Sequence, residues 1–595
     1  MRWARAVVVC LVAALACHRV PRVALPSAAT DVGVPQPLAG QATYTGDRRP
    51  AAFPDAWPHK AGRAAAFGAR AMVVTDAPLA TDVGVDILRR GGNAVDAAVA
   101  VGFALAVVYP EAGNVGGGGY MVIRMADGRT AALDYREVAP LAATRDMFLD
   151  ERGEATNKSV VGPLASGVPG AVAGLIAAHQ RFGSIPLKAV LRPAIRLAAN
   201  GFVVDSALSL SLTNAAPLIS SFGGGATFLP GGAAPAPGTV LRQPALARTL
   251  ERIAANGTDG FYEGETARAI VDELARRGGI ITMEDLAHYR VVWREPVHVT
   301  YRGHTVLSMP PSSSGGVTIA ETLNILEGFD SLPPFGSAPR AHLLASAYQR
   351  AFIDRNEKLA DPAFVQVPIA ELTSKSYAAR LRATIDVARA TPTRGLLPPR
   401  PEGTETTHYS VVDSSGNAVA TTTTINALYG SGVYVVDAGF FLNDEMDDFA
   451  TRPGHPNMFG LVQGEANAVQ PGKRMLSAMS PTIVVGPGDS LLLVLGARGG
   501  PRIITSTSQV IVNVVDHRMT LADAMSAPRV HHQALPDTIR HEPDGLTQPV
   551  LDSLNRMGWG VGPASAIGLV NAIMRVSGGY HGVADPRASG RAVGY

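Results

Sequence analysis

The chain has almost no cysteine. Of its 595 residues only Cys10 and Cys17 carry thiols, and both lie in the first seventeen positions. The body therefore offers no disulfide, no cysteine nucleophile and no zinc–thiolate site. Long hydrophobic runs are also missing. The longest apolar stretch of the body, residues 97–108, contains Gly102, is too short to span a membrane and reads as a buried core helix. An excess of one charge is missing too. A formal net charge of +2, with no basic stripe interleaved with aromatics, argues against a nucleic-acid partner. No internal repeat is evident. Gly116 to Gly119 are not a phosphate loop, because no lysine follows at the required spacing. His531 and His532 are adjacent rather than at the spacing of helical metal ligands, and read as structural or surface residues. No metal and no organic cofactor is expected.

At the start, Arg2 and Arg5 precede the apolar run 6–16, the pattern of an export signal over residues 1–17. A periplasmic or extracellular protein is expected. Two endings fit this signal. Ala14-Leu15-Ala16 has the form of an ordinary signal-peptidase site, and Leu15-Ala16-Cys17 resembles a lipobox that would anchor the protein through lipid on Cys17. Residues 18–60, rich in Pro and Ala, read as a tether.

Hydrophobic content of 47% supports a large core. Residues 78–90 read as a helix capped by Asp76 and stopped by Gly91-Gly92, and Asn93 caps a second helix to residue 108. A hairpin is expected over 120–125 and 130–135. Residues 170–290 look mainly helical, 297–309 strand-like, and 317–357 and 374–387 helical again. Strands follow at 408–413, 418–425, 482–485 and 491–495, and then a helix at 503–515. Gln470-Pro471-Gly472-Lys473-Arg474 reads as a solvated basic turn. Hairpins flanked by helices point to a layered α/β fold.

Thr406 stands at a sharp boundary. The breaker-rich segment Leu396-Leu397-Pro398-Pro399-Arg400-Pro401-Glu402-Gly403 lies upstream, and a strand begins directly downstream. A threonine is a poor nucleophile unless a base sits beside it. A free α-amine on the same residue is such a base.

The stretch Thr406-Thr407-His408-Tyr409-Ser410-Val411-Val412-Asp413, followed by Gly416-Asn417-Ala418-Val419-Ala420, resembles the start of the small subunit of γ-glutamyltransferases, N-terminal-nucleophile hydrolases that cleave themselves. Other landmarks agree in order: Pro110-Glu111-Ala112-Gly113-Asn114, Asp134-Tyr135-Arg136-Glu137, Met309-Pro310-Pro311-Ser312, Asn443-Asp444-Glu445-Met446-Asp447-Asp448-Phe449 and Gly499-Gly500. The resemblance covers roughly residue 65 to the end. It implies an αββα sandwich built jointly by two fragments, a large one (61–405) and a small catalytic one (406–595), that form a heterodimer after cleavage between Glu405 and Thr406. It implies transfer of a γ-glutamyl group from a donor such as glutathione to water or an amine.

The resemblance also assigns roles. Thr406 would be the nucleophile and Thr424 its hydrogen-bond partner. Gly499 and Gly500 would supply oxyanion donors, since glycines between strand and helix let backbone N–H groups approach a ligand. Arg136 and Ser477 would hold the donor carboxylate, Glu445 and Asp448 its ammonium, and Asn426 would touch substrate. The segment Arg452 to Leu461 resembles a lid loop, with Phe459 where tyrosine is usual. Ala478 stands where many bacterial members have a second serine, and Arg498 where some have proline. His408 reads as a packed strand residue rather than a base. A glutaryl-amide or cephalosporin acylase of the same superfamily is the alternative enzyme, and a non-catalytic envelope binding protein the third reading.

Overall fold

A computed structural model of the protein describes residues 48, 51–60, 64–393 and 406–595. The expected signal, most of the expected tether and Glu405 lie outside the described residues.

Among the described residues, fourteen strands build two sheets. In chain order they are β1 (Ala66–Gly68), β2 (Met72–Thr75), β3 (Gly118–Arg124), β4 (Thr130–Tyr135), β5 (Val292–Arg294), β6 (Val297–Tyr301), β7 (His304–Ser308), β8 (Thr407–Val412), β9 (Ala418–Thr424), β10 (Thr482–Gly486), β11 (Ser490–Arg498), β12 (Leu569–Val576), β13 (Gly579–Ala584) and β14 (Arg591–Gly594). The first sheet runs β14-β2-β8-β9-β3-β4-β5 and the second β1-β13-β12-β11-β10-β7-β6. Both sheets draw strands from either side of residue 406, so neither half of the chain can complete a sheet alone.

Both strands of the central hairpin β8–β9 are buried along their whole length. Its β-branched and aromatic residues suit a strand covered on both faces. Its turn is closed by Asp413, whose Oδ1 accepts from the backbone N–H of Ser415 (2.9 Å) and Asn417 (3.0 Å). The two sheets pack face to face across β8. Ser410 Oγ donates to the carbonyls of Val494 (3.2 Å) and Asn571 (3.3 Å) on the opposite sheet. Gly496 leaves room for His408, since a Cβ there would lie 2.4 Å from the imidazole.

Helices α1 (Pro78–Arg89), α2 (Ala94–Val108) and α3 (Ala171–Phe182) cover the first sheet; α4 (Gly315–Glu327) and α6 (Arg502–Val515) cover the second, and α5 (Ala338–Lys358) packs on α4. All fifteen residues of α2 are buried; Asn93 is the expected cap, and with Asp96 it forms a capping box. The result is the αββα sandwich.

Four local expectations change. Asp76 does not cap α1; Ala77 is the N-cap and Pro78 fills the first turn, where a missing N–H costs nothing. Lys473 and Arg474 are not solvated. Lys473 is fully buried and donates to the carbonyls of Ala466 and Ala468, and Arg474 pairs with Asp134 at 3.3 Å. The helix expected over 374–387 is shorter, Lys375–Arg382. The end of the expected tether is packed: Trp57 is buried and its indole donates to the carbonyl of Ser526 at 2.8 Å.

Candidate active site

The register of β8 and β9 sets the site. Thr407 faces Thr423 across the ladder, which brings Thr406 opposite Thr424. Thr406 Oγ1 donates to Thr424 Oγ1 at 3.2 Å, and the same oxygen accepts from the backbone N–H of Asn426 at 2.8 Å. Thr424 is thereby held from two sides. Thr406 itself has φ of 92°, a conformation that a β-branched residue adopts only under strain.

Thr406 and Thr424 open onto one cavity. Its wall also contains Arg136, Asn426, Glu445, Asp448, Ser477, Ala478 and Gly500. Eight of the nine residues marked as catalytic or substrate-binding from the sequence thus meet in one place. The ninth, Gly499, precedes Gly500 in the turn between β11 and α6. Both glycines have positive φ, 121° and 54°.

The polar end of the cavity is a buried charge cluster. Arg136 follows directly on β4 and is fully buried. Its Nη1 lies 2.5 Å from Glu445 and 3.6 Å from Glu137, and its Nη2 donates to Asp448. Burial alone would lower the Arg136 pKa, but Glu445 and Asp448 hold it above its ordinary value. Burial pushes Glu445 and Asp448 up from the usual carboxylate range, against the pull of Arg136. Burial also raises Glu137, to about 8. Arg355 completes the cluster from α5, with its own pKa lowered to about 10 by burial. A buried set with both signs suits a zwitterion, whose carboxylate meets the guanidinium and whose ammonium meets the carboxylates.

The apolar end is closed by Phe459 and Leu461. Asn457 builds this turn, its Oδ1 accepting from the N–H of Phe459 and of Leu461, both at 3.1 Å. Gln533 holds the carbonyl of Phe459 at 3.2 Å. The ring packs over Gly500, where a Cβ would lie 2.8 Å from Phe459 Cδ1. Ala478, rather than a serine, occupies the wall beside Ser477.

His408 is buried between Thr422 and Ser410, and burial lowers its pKa to about 3. His531 bonds Thr505 and Gln533, and His532 bonds Asp537.

The Gamma-glutamyltranspeptidase family profile matches residues 80–595. The chain belongs to this family. The chain is 48% identical over 525 residues to the glutathione hydrolase proenzyme of Escherichia coli K12, covering 87% of this chain and 90% of the relative. It is 43% identical over 509 residues to the acylase ACY 1 proenzyme of Pseudomonas sp. V22, covering 84% and 86%. The cephalosporin acylase of Bacillus halodurans superposes with a TM-score of 0.80 at 28% identity, covering 91% of this chain and 99% of that one. The family fold is the N-terminal-nucleophile αββα sandwich.

Sequence reasoning missed Arg355 and misread Asp76. Arg355 sits within a helix with no motif around it, and only the packing of α5 turns it toward the cavity. Asp76 precedes Pro78 like an ordinary cap, yet its carboxylate accepts from Thr407 Oγ1 at 2.8 Å and from Asn571 Nδ2 at 3.0 Å.

Proposed function

We propose that the protein is a proenzyme that cuts itself before Thr406 and then acts as a γ-glutamyltransferase and glutathione hydrolase. One observation carries the reading: the Thr406–Thr424 pair shares a cavity with the Arg136–Glu445–Asp448 cluster. A nucleophile and a receptor for an amino-acid head lie together.

Thr406 Oγ attacks the carbonyl of Glu405, the peptide C–N bond breaks to free the α-amine and leave an ester on Oγ, and water then hydrolyses that ester to release the Glu405 carboxylate and the Thr406 hydroxyl. The strained φ of Thr406 favours this step, because φ is no longer constrained once the preceding carbonyl has gone. The freed amine, with a pKa of about 8, is then the base for each turnover. Arg136 and Ser477 hold the donor carboxylate, and Glu445 and Asp448 its ammonium. Thr424 orients Thr406, Asn426 flanks the substrate, and N–H groups of Gly499 and Gly500 receive the developing oxyanion. Water or an amine releases the acyl group. Phe459 limits the access of water. The first seventeen residues serve for export.

The acylase reading has in its favour the likeness to the acylase relatives and the missing hydroxyl at Ala478. Glu445 and Asp448 oppose it, because a glutaryl head brings no ammonium to pair with them. The test is N-terminal sequencing of the processed protein together with turnover of γ-glutamyl-p-nitroanilide beside glutaryl-p-nitroanilide. A fragment starting at Thr406 and preference for the γ-glutamyl donor are expected. No such fragment, or preference for the glutaryl donor, overturns the reading.

A further inference from the structure

Arg355 is a buried cation without an ionic partner. It lies on α5, is 1% exposed, and forms part of the wall of the cavity at Thr406. Its Nε donates to Ser314 Oγ at 3.0 Å, and its Nη1 to Asn356 Oδ1 at 2.9 Å and to Gln463 Oε1 at 3.4 Å. All three acceptors are neutral. Among the described residues, no carboxylate forms an ion pair with this guanidinium, and its Nη2 makes no hydrogen bond. Burial lowers its pKa only to about 10, so it is charged at neutral pH. An unpaired buried charge is costly. A cavity that keeps one is suited to a ligand of opposite charge.

The hydrogen bonds fix where that charge stands. Ser314 Oγ, which accepts from Arg355, donates to the Ser477 carbonyl at 2.6 Å. Gln463, which accepts from Arg355 as well, donates its Nε2 to the Asp448 carbonyl at 3.1 Å. One residue therefore links Arg355 to each side of the proposed head clamp. Ser477 Oγ accepts from the N–H of Met479 at 3.1 Å, which leaves its own proton for a ligand. Ala478 beside it has no hydroxyl to offer. Arg136 has less to give than its charge suggests. Its Nε meets the Met475 carbonyl at 3.3 Å, its Nη1 meets Glu445 and its Nη2 meets Asp448. Three carboxylates, those of Glu137, Glu445 and Asp448, already stand around it. A carboxylate brought by a ligand would be the fourth, and Arg136 alone cannot balance it.

We propose that Arg355 is a substrate-binding residue, the second cation of the head clamp: its Nη2 donates to the α-carboxylate of the donor, which it shares with Arg136 and Ser477, and supplies the hydrogen bond that Ala478 cannot. This rests on the γ-glutamyl reading and adds to it the residue that selects donors bearing an α-carboxylate.

The test compares two donors in the processed enzyme. γ-Glutamyl-p-nitroanilide carries the α-carboxylate and the ammonium; 4-aminobutanoyl-p-nitroanilide keeps the ammonium and lacks the carboxylate. Arg355→Gln should raise KM for the γ-glutamyl donor about tenfold or more with kcat within about threefold, the pattern of a lost ground-state contact. It should leave kcat/KM for the 4-aminobutanoyl donor within about threefold. Arg355→Lys keeps the charge without the second nitrogen and should give a smaller rise in KM; it carries the test if the glutamine variant does not fold. Adding Ala478→Ser to either variant should recover part of the KM, which a purely structural role for Arg355 would not allow. Melting temperatures and a gel for the two fragments check folding and processing. Wild type without γ-glutamyl turnover overturns the function itself and this assignment with it. Wild-type turnover with KM unmoved in the folded variants overturns the assignment alone. An equal loss with both donors makes Arg355 a structural residue and also overturns it.

Discussion

Thr407 Oγ1 donates a 2.8 Å hydrogen bond to Asp76, a residue 331 positions earlier in the chain. The other carboxylate oxygen accepts from Asn571 on the opposite sheet, and Arg498 stands 3.7 Å away. One buried carboxylate thus ties the strand that follows Thr406, the second sheet and the approach to the Gly499-Gly500 turn. Asp76→Asn keeps the shape and removes the charge. Loss of a charged hydrogen bond is worth about 1.5–3 kcal/mol, or about 10- to 100-fold in rate if it acts in the transition state. We expect kcat for γ-glutamyl-p-nitroanilide to fall by that factor with KM within twofold. A fall in melting temperature with kcat intact would make Asp76 a structural residue only.

Asp448→Asn separates the two enzyme readings. Asp448 pairs with Arg136 inside the cavity, and the proposed donor ammonium would pair with it too. Removing the charge should lower kcat/KM for the γ-glutamyl donor by about 10- to 1000-fold, at about 1.4 kcal/mol per decade. The glutaryl donor has no ammonium and should change far less. An equal loss with both donors would show that Asp448 supports the fold or Thr406 instead.

Gly500→Ala should damage turnover without unfolding the protein. Its φ of 54° disfavours a side chain, and the new Cβ would meet the Phe459 ring at 2.8 Å. The turn must shift, and with it the proposed oxyanion donor. Removal of one such donor costs about 100- to 1000-fold in kcat, which steady-state kinetics would read. A variant with wild-type kcat would place the oxyanion donors elsewhere. Phe459→Ala in the same background should recover part of the loss by clearing the clash.

His408 gives the protein a pH-dependent stability. Burial lowers its pKa to about 3, against about 6.5 in an unfolded chain. The neutral form is the folded one, so its stabilising contribution is complete above pH 6.5. As the pH falls from 6.5 toward 3, the unfolded state binds a proton that the folded state does not. Stability should then drop by at most about 1.4 kcal/mol per pH unit from this residue. Melting temperatures across pH 7 to 4 should fall more steeply for wild type than for His408→Gln. Parallel curves would mean that His408 is not held neutral.

Much of the chemistry was legible because it is local in the chain. Breakers before Thr406, a strand after it and paired glycines before α6 are short-range patterns, and their order along the chain carried the family. The Asn93 cap of α2 was readable for the same reason, since it directly precedes the apolar helix it starts. The turn around Lys473 was misread because charged residues after Pro-Gly usually face water, whereas here the carbonyls of Ala466 and Ala468 close over the ammonium.

Alternation along β8 and β9 alone left open whether Thr424 faced Thr406. The register depends on how the hairpin closes at Asp413 and on the neighbouring strands β2 and β3. Arg355 and Asp76 carry no local signature, and each acquires its place only when helices and sheets from distant segments pack. The amino-acid sequence by itself determined the hairpin that begins at Thr406, the proposed nucleophile, and the residue types of the proposed head clamp. The tertiary structure decided which charges meet: Arg136 with Glu445 and Asp448, and Asp76 with Thr407 and Asn571. Burial far from water makes those pairings strong, and burial is a property of the assembled layers rather than of any one segment.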